Sequence, residues 1–178
     1  LSTGRASSSP GLLRRVLSPL LTPFMPATQP TFSAGGLRVS LQVDIPSDVA
    51  YIERVVELVR HPCAELLYNK HQLALNVPVA LSEALANAIL RANNEHAEKR
   101  VRVRADVDSH RLVVEITDEG APFDLDAKTR DACDDDNLER EDGRGLFLMR
   151  KLMDGVERFD APSGGLAGNV VRLTLARA

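Results

Sequence analysis

Along the chain the hydrophobic positions change period several times, and each change marks a new element. Leu37-Arg-Val-Ser-Leu-Gln-Val43 alternates apolar and polar residues, the pattern of a strand with one buried face. Ser47 then offers an N-cap, Asp48 suits a first helical turn, and Val49, Ile52, Val56 and Val59 recur at helical spacing as far as His61-Pro62. Asn76 to Asn93 predicts a second helix, apolar over most of its circumference and therefore buried. Arg100 to Val107 and Leu112 to Thr117 alternate again on either side of Asp108-Ser109-His110, which predicts a β-hairpin. Leu125 to Asp142 is polar, carries Asp134-Asp135-Asp136 and predicts a solvated loop rather than a cation site. Leu146 to Met153 predicts a third helix with Gly155 as its C-cap. Gly164-Gly165 and Gly168 lead into a last strand, Val170 to Leu175, and no internal repeat occurs.

The order strand, helix, helix, hairpin, loop, helix, strand predicts an α/β fold. Helices cover one face of a mixed, mostly antiparallel sheet in a two-layer sandwich. Ahead of it, residues 1–36 are expected to form a flexible Ser/Pro-rich N-terminal extension, leaving 37–178 as the domain. Leu1 to Ala34 contains Arg5, Arg14 and Arg15 but no acidic residue, and Pro10, Pro19, Pro23, Pro26 and Pro30 exclude a long helix. Such composition is also that of transit peptides. Because the chain does not begin with Met, a linker is the preferred reading, and a short helix from Gly11 to Leu21 stays open.

Composition narrows the classes. With 178 residues, 44% hydrophobic and 26% charged, the chain suits one soluble globular domain. A net charge of -3 argues against a general nucleic-acid binder, which needs a basic face. Cys63 and Cys133 suggest neither a disulfide framework nor a zinc site, in keeping with a reducing, cytoplasmic location. No apolar run approaches the length of a membrane span, so no membrane partner is expected. His61, His71, His96 and His110 show no metal-ligand spacing.

Three short segments carry the candidate chemistry. Glu83 and Asn87 stand four residues apart on the predicted buried helix and so share one face. An acid beside an amide oxygen suits a hydroxyl proton and a magnesium ion, although a solvent-facing Glu83 and an ordinary surface Asn87 fit the spacing equally well. Asp118 closes a strand and is followed by Gly120, which lets backbone approach a ligand. Asp118 there can accept from an exocyclic amine such as that of adenine, or serve only as a turn residue. Gly143-Arg144-Gly145 opens the third helix and offers N–H groups to a phosphate, or forms a hinge.

Taken in order, Glu83-Ala-Leu-Ala-Asn87-Ala88, Asp118-Glu-Gly120-Ala-Pro-Phe-Asp124 and Gly143-Arg-Gly145-Leu-Phe-Leu-Met-Arg-Lys-Leu-Met-Asp154 closely resemble the bacterial anti-sigma-factor serine/threonine kinases. These lie in the histidine-kinase-like ATPase superfamily shared with DNA gyrase, histidine kinases and a heat-shock chaperone, and the resemblance covers Leu37 to about Ala178. It implies an ATP- and Mg²⁺-dependent kinase that binds a sigma factor, phosphorylates an antagonist protein, or both, with a homodimer as one possible state. By the same resemblance Glu83 is the catalytic base, Asn87 the Mg²⁺ ligand, Asp118 and Gly120 the adenine end, and Gly143, Arg144, Gly145 and Leu146 the phosphate lid. Either Arg140 or Arg144 would supply charge near the γ-phosphate. Arg91 stands where relatives often have His, Pro122 where a second glycine is common, and Asn169 where a threonine is frequent, so the contact expected of that threonine is unassigned. Two other readings remain: a nucleotide-gated binding module without turnover, and the ATP-binding domain of a larger sensor.

Overall fold

Residues 27–33, 36–121, 141–161 and 168–178 are described by the structure, a computed structural model. Gly11 to Leu21, Gly164-Gly165, Arg140 and the loop up to that residue lie outside the described residues. Six strands form one sheet: β1 (Ala27–Ser33), β2 (Gly36–Pro46), β3 (Arg100–Val107), β4 (Arg111–Thr117), β5 (Gly155–Asp160) and β6 (Asn169–Ala176). Their order is β1-β2-β3-β4-β6-β5, and each of these pairings is antiparallel.

Alternation places Leu41, Val43, Ile45, Val101, Val103, Ala105, Leu112, Val114, Ile116, Leu173 and Leu175 on one face of the sheet, where they form the floor of the core. The opposite face is polar and laced with ion pairs such as Arg102 with Asp44 and Arg172 with Glu115, each at 2.7 Å. These pairs are partly exposed and add little stability.

Helices cover the apolar face. After a 3₁₀ turn at Val49–Tyr51, α1 runs Ile52–Glu65 and buries Val55, Val56, Val59 and Cys63. Asp48, not Ser47, is the cap: its carboxylate accepts from the Ala50 N–H at 2.8 Å, while the buried Ser47 hydroxyl donates to the Ile89 carbonyl at 3.5 Å. Pro62 does not end α1 as expected, and its ring is buried in the helix's last turn.

The central helix, α2, spans Gln72–Ala92 and begins before the expected Asn76. Its α-helical middle, Val77–Ala86, is flanked by π-helical turns at Gln72–Asn76 and Asn87–Ala92. By length and composition it meets the criteria for a membrane span, contrary to the sequence expectation. Its role here is a core helix: Val77, Ala80, Leu81, Ala84, Leu85, Ala88 and Ile89 are buried in the common core. Helix α3, Glu141–Leu152, packs against α2 and buries Leu146 and Met149.

Two strands escaped the sequence pattern. Strand β1 occupies part of the segment assigned to a flexible extension, pairing from Ala27 opposite Gln42 to Ser33 opposite Gly36. An edge strand tolerates Pro30 because its second side has no ladder to complete. Strand β5 is the other edge, and its first residue is Gly155, which pairs with Thr174 instead of capping α3. Half-burial along β5 blurs the alternation that would have revealed it.

Candidate functional site

The candidate residues are arranged along α2. Glu83 and Asn87 are half-buried and lie one turn apart, facing α3. A side-chain Cβ at Gly145 would sit 2.5 Å from Glu83 Oε2 and 3.6 Å from Asn87 Nδ2. Glycine at 145 thus lets α3 approach the Glu83 carboxylate closely, and the structure joins the Glu-Asn and Gly-Arg-Gly segments directly. Both are half-buried, rather than fully buried as expected of this face, so each polar group stays partly accessible.

Among the described residues helix α3 spans Glu141–Leu152, so Gly143-Arg144-Gly145 lies inside the helix and does not precede it. Arg144 is exposed. Leu146 belongs to the hydrophobic core, so its side chain serves packing and only its backbone remains for the lid role expected of it. At the far end of α3, Asn76 Nδ2 donates to the Leu152 carbonyl at 2.6 Å. Asn76 stands seven residues before Glu83 on the same face of α2, so α3 is fastened to this face at both ends.

The other end of the site is built around Asp118. Its side chain is 2% exposed, and Oδ1 accepts from the Gly120 N–H and from Asn169 Nδ2, each at 2.8 Å. Among the described residues nothing donates to Oδ2, the oxygen left for a ligand. A Cβ at Gly120 would meet Ala92 Cβ at 2.6 Å and the Ala92 backbone at 2.8 Å, so the turn lies hard against the end of α2. Asn93, fully buried, clamps the same junction: its Oδ1 accepts from the Glu119 N–H at 2.9 Å and its Nδ2 donates to the Arg100 carbonyl at 3.0 Å. Five residues separate Asn87 from Ala92, roughly 7.5 Å along a helix. Asp118 and the Glu83–Asn87 pair are thus held at opposite ends of one helix segment that ends in a π-helical turn.

Asn93 had no motif to mark it. Asn169 stood out only as a departure from threonine, which proved to be the useful signal. Gly168 is required by packing, since a Cβ there would collide with the Asp118 carbonyl oxygen.

An antiparallel sheet under helices, with an acid–amide pair, a glycine-bearing helix against it and a buried aspartate, is the two-layer architecture expected of an ATPase domain of this kind. The profile of the histidine kinase-like ATPase domain matches residues 45–175, and the chain belongs to this family. Within it the chain is similar to proteins named serine-protein kinase RsbW. Identity to the Bacillus velezensis protein is 32% over 123 residues, covering 66% of this chain and 76% of the relative. The Bacillus subtilis protein is 31% identical over 122 residues, covering 65% and 75%. That of Oceanobacillus iheyensis is 27% identical over 122 residues, covering 66% and 77%. ATP binding follows from the family, and the similarity places the chain in its serine-protein kinase branch.

Proposed function

We propose that the chain is an ATP- and Mg²⁺-dependent protein serine/threonine kinase of the anti-sigma-factor type, which binds a sigma factor, phosphorylates an antagonist protein, or does both. The observation that carries this reading is the approach of Gly145 to Glu83 and Asn87, which sets a carboxylate, an amide and the glycine-bearing part of α3 side by side. Glu83 takes the proton of a substrate serine or threonine hydroxyl as that oxygen attacks the γ-phosphate. The Asn87 amide oxygen is a hard ligand suited to Mg²⁺, which when bound neutralises charge on the phosphates. Asp118 receives the adenine amine through Oδ2, and the Gly143-Arg144-Gly145 stretch serves the phosphates.

The donor set fits the nucleotide: a buried acceptor stands at one end, and a cradle that a Cβ would fill stands at the other. The test is transfer of label from γ-labelled ATP to a serine or threonine of an antagonist domain encoded beside this chain. Transfer is expected with Mg²⁺ and absent with chelator, and Asn87→Ala should weaken Mg-ATP binding about tenfold or more. ATP binding without transfer to any neighbouring antagonist would instead identify a nucleotide-gated binding module. Unchanged Mg-ATP binding by Asn87→Ala would remove the metal assignment.

A further inference from the structure

We propose that Arg158, acting through Asn169, is a positioning residue that sets the base specificity of the Asp118 site in favour of purines bearing an exocyclic amine. The inference rests on the reading of Asp118 given above. It starts from a row of polar side chains on the inner face of the sheet where β4, β6 and β5 lie side by side. The Asp118 N–H donates to the Asn169 carbonyl at 3.0 Å, which continues the β4–β6 ladder by one step and brings the two side chains together. Asn169 is fully buried. Its Nδ2 donates to Asp118 Oδ1 at 2.8 Å and to the Ala121 carbonyl at 3.1 Å, while its Oδ1 accepts from Arg158 Nη2. The guanidinium is itself 14% exposed and paired with Asp160 at 2.8 Å.

A carboxamide has two orientations of nearly identical shape that exchange donor and acceptor. Arginine has no acceptor, so only one orientation satisfies this row: oxygen towards Arg158, amine towards Asp118. In the reversed orientation two donors face each other at Arg158 and two acceptors at Asp118. Arg158 therefore joins Asp118 Oδ1 and the Ala121 carbonyl in fixing the amide orientation, and anchors the end of the amide away from Asp118, while Oδ2 is presented to the ligand as an acceptor. Both amide hydrogens and the amide oxygen of Asn169 are consumed, so this residue acts on the base only through Asp118. An amine at purine C6 donates to Oδ2, whereas a 6-oxo group sets oxygen against oxygen. A threonine at 169 would need no such partner, because its hydroxyl rotates to donate.

The test compares ATP with purine riboside triphosphate, which lacks the 6-amino group, and with inosine triphosphate, by calorimetric titration of the full chain in Mg²⁺. The wild-type protein is expected to prefer ATP over either analogue by about tenfold or more, the size of one hydrogen bond to a charged acceptor. Arg158→Gln, whose amide satisfies either orientation of Asn169, should lower that ratio about fivefold or more by weakening ATP alone. Affinity for purine riboside triphosphate should stay within about twofold. Arg158→Lys, a donor only, should restore the ratio, and in an Asn169→Thr background Arg158→Gln should have no effect on it. Should Arg158→Gln not fold, Asn169→Asp tests the same row, since it keeps the Arg158 contact but turns an acceptor on Asp118 and should lower the ratio likewise. Equal weakening of all three nucleotides, or an unchanged ratio in folded Arg158→Gln or Asn169→Asp, overturns the role of Arg158 and leaves the Asp118 reading intact. A wild-type protein that binds all three nucleotides equally overturns both.

Discussion

Gly145→Ala separates the stability of the domain from the chemistry of its site. The added methyl would lie 2.5 Å from Glu83 Oε2 and 3.5 Å from Glu83 Cδ, so the carboxyl must retreat by about 1 Å to restore ordinary contact. What yields is the end of a flexible side chain, at a rotamer cost of about 0.5–1.5 kcal/mol. Against this, alanine in a helix interior gains about 1 kcal/mol over glycine. The two nearly cancel, and the melting temperature should move by no more than about 4 °C. Asn87 Nδ2 stands at 3.6 Å from the new atom, an ordinary contact, so Mg-ATP affinity should change little. Phosphoryl transfer should fall about 100-fold, the effect of displacing a reacting group by 1 Å. Melting curves, Mg-ATP titration and label transfer to an antagonist domain give the three readouts. A folded variant that transfers phosphate at the wild-type rate would refute the claim that the Gly145–Glu83 approach is productive.

Two other outcomes follow from the packing. Gly120→Ala should destabilise the domain by about 1–3 kcal/mol and weaken ATP binding, because its Cβ meets the Ala92 backbone, which cannot swing aside. Thermal melts and nucleotide titration check this. Burial under α1 pushes the Cys63 thiol up to about 12 from 9.0, so the folded state holds its proton where the unfolded chain has lost it. Its contribution to stability is full below pH 9 and declines as pH rises towards 12. In a Cys133→Ser background, a thiol-specific chromogenic reagent at pH 8 should react only at the rate of unfolding; prompt reaction would contradict the burial.

Much of this was legible because periodicity reports burial on one face. The hairpin of β3 and β4 was read with nearly the observed ends, since its inward residues alternate without interruption. The α2 core was legible for the same reason, but its early start was not, because the first turns are π-helical and shift the period. Edge strands β1 and β5 were missed: one is masked by prolines and serines, the other by partial burial on both faces. Within the site, Glu83, Asn87, Asp118, Gly120 and Gly145 were singled out by type and spacing together with the family resemblance. Arg158 and Asn93 were not, and Asn169 only as a departure from threonine, because their contacts run across strands and helix ends that no local pattern encodes.

The central claim is that Glu83 is the base of a phosphoryl transfer and not a packing residue beside Gly145. Glu83→Gln keeps the shape of the side chain and removes its basicity, so it isolates that claim. The account predicts a loss of transfer of at least about 100-fold, the lower range for a general base, with Mg-ATP affinity and melting temperature essentially those of the wild type. Transfer retained within about threefold would contradict it.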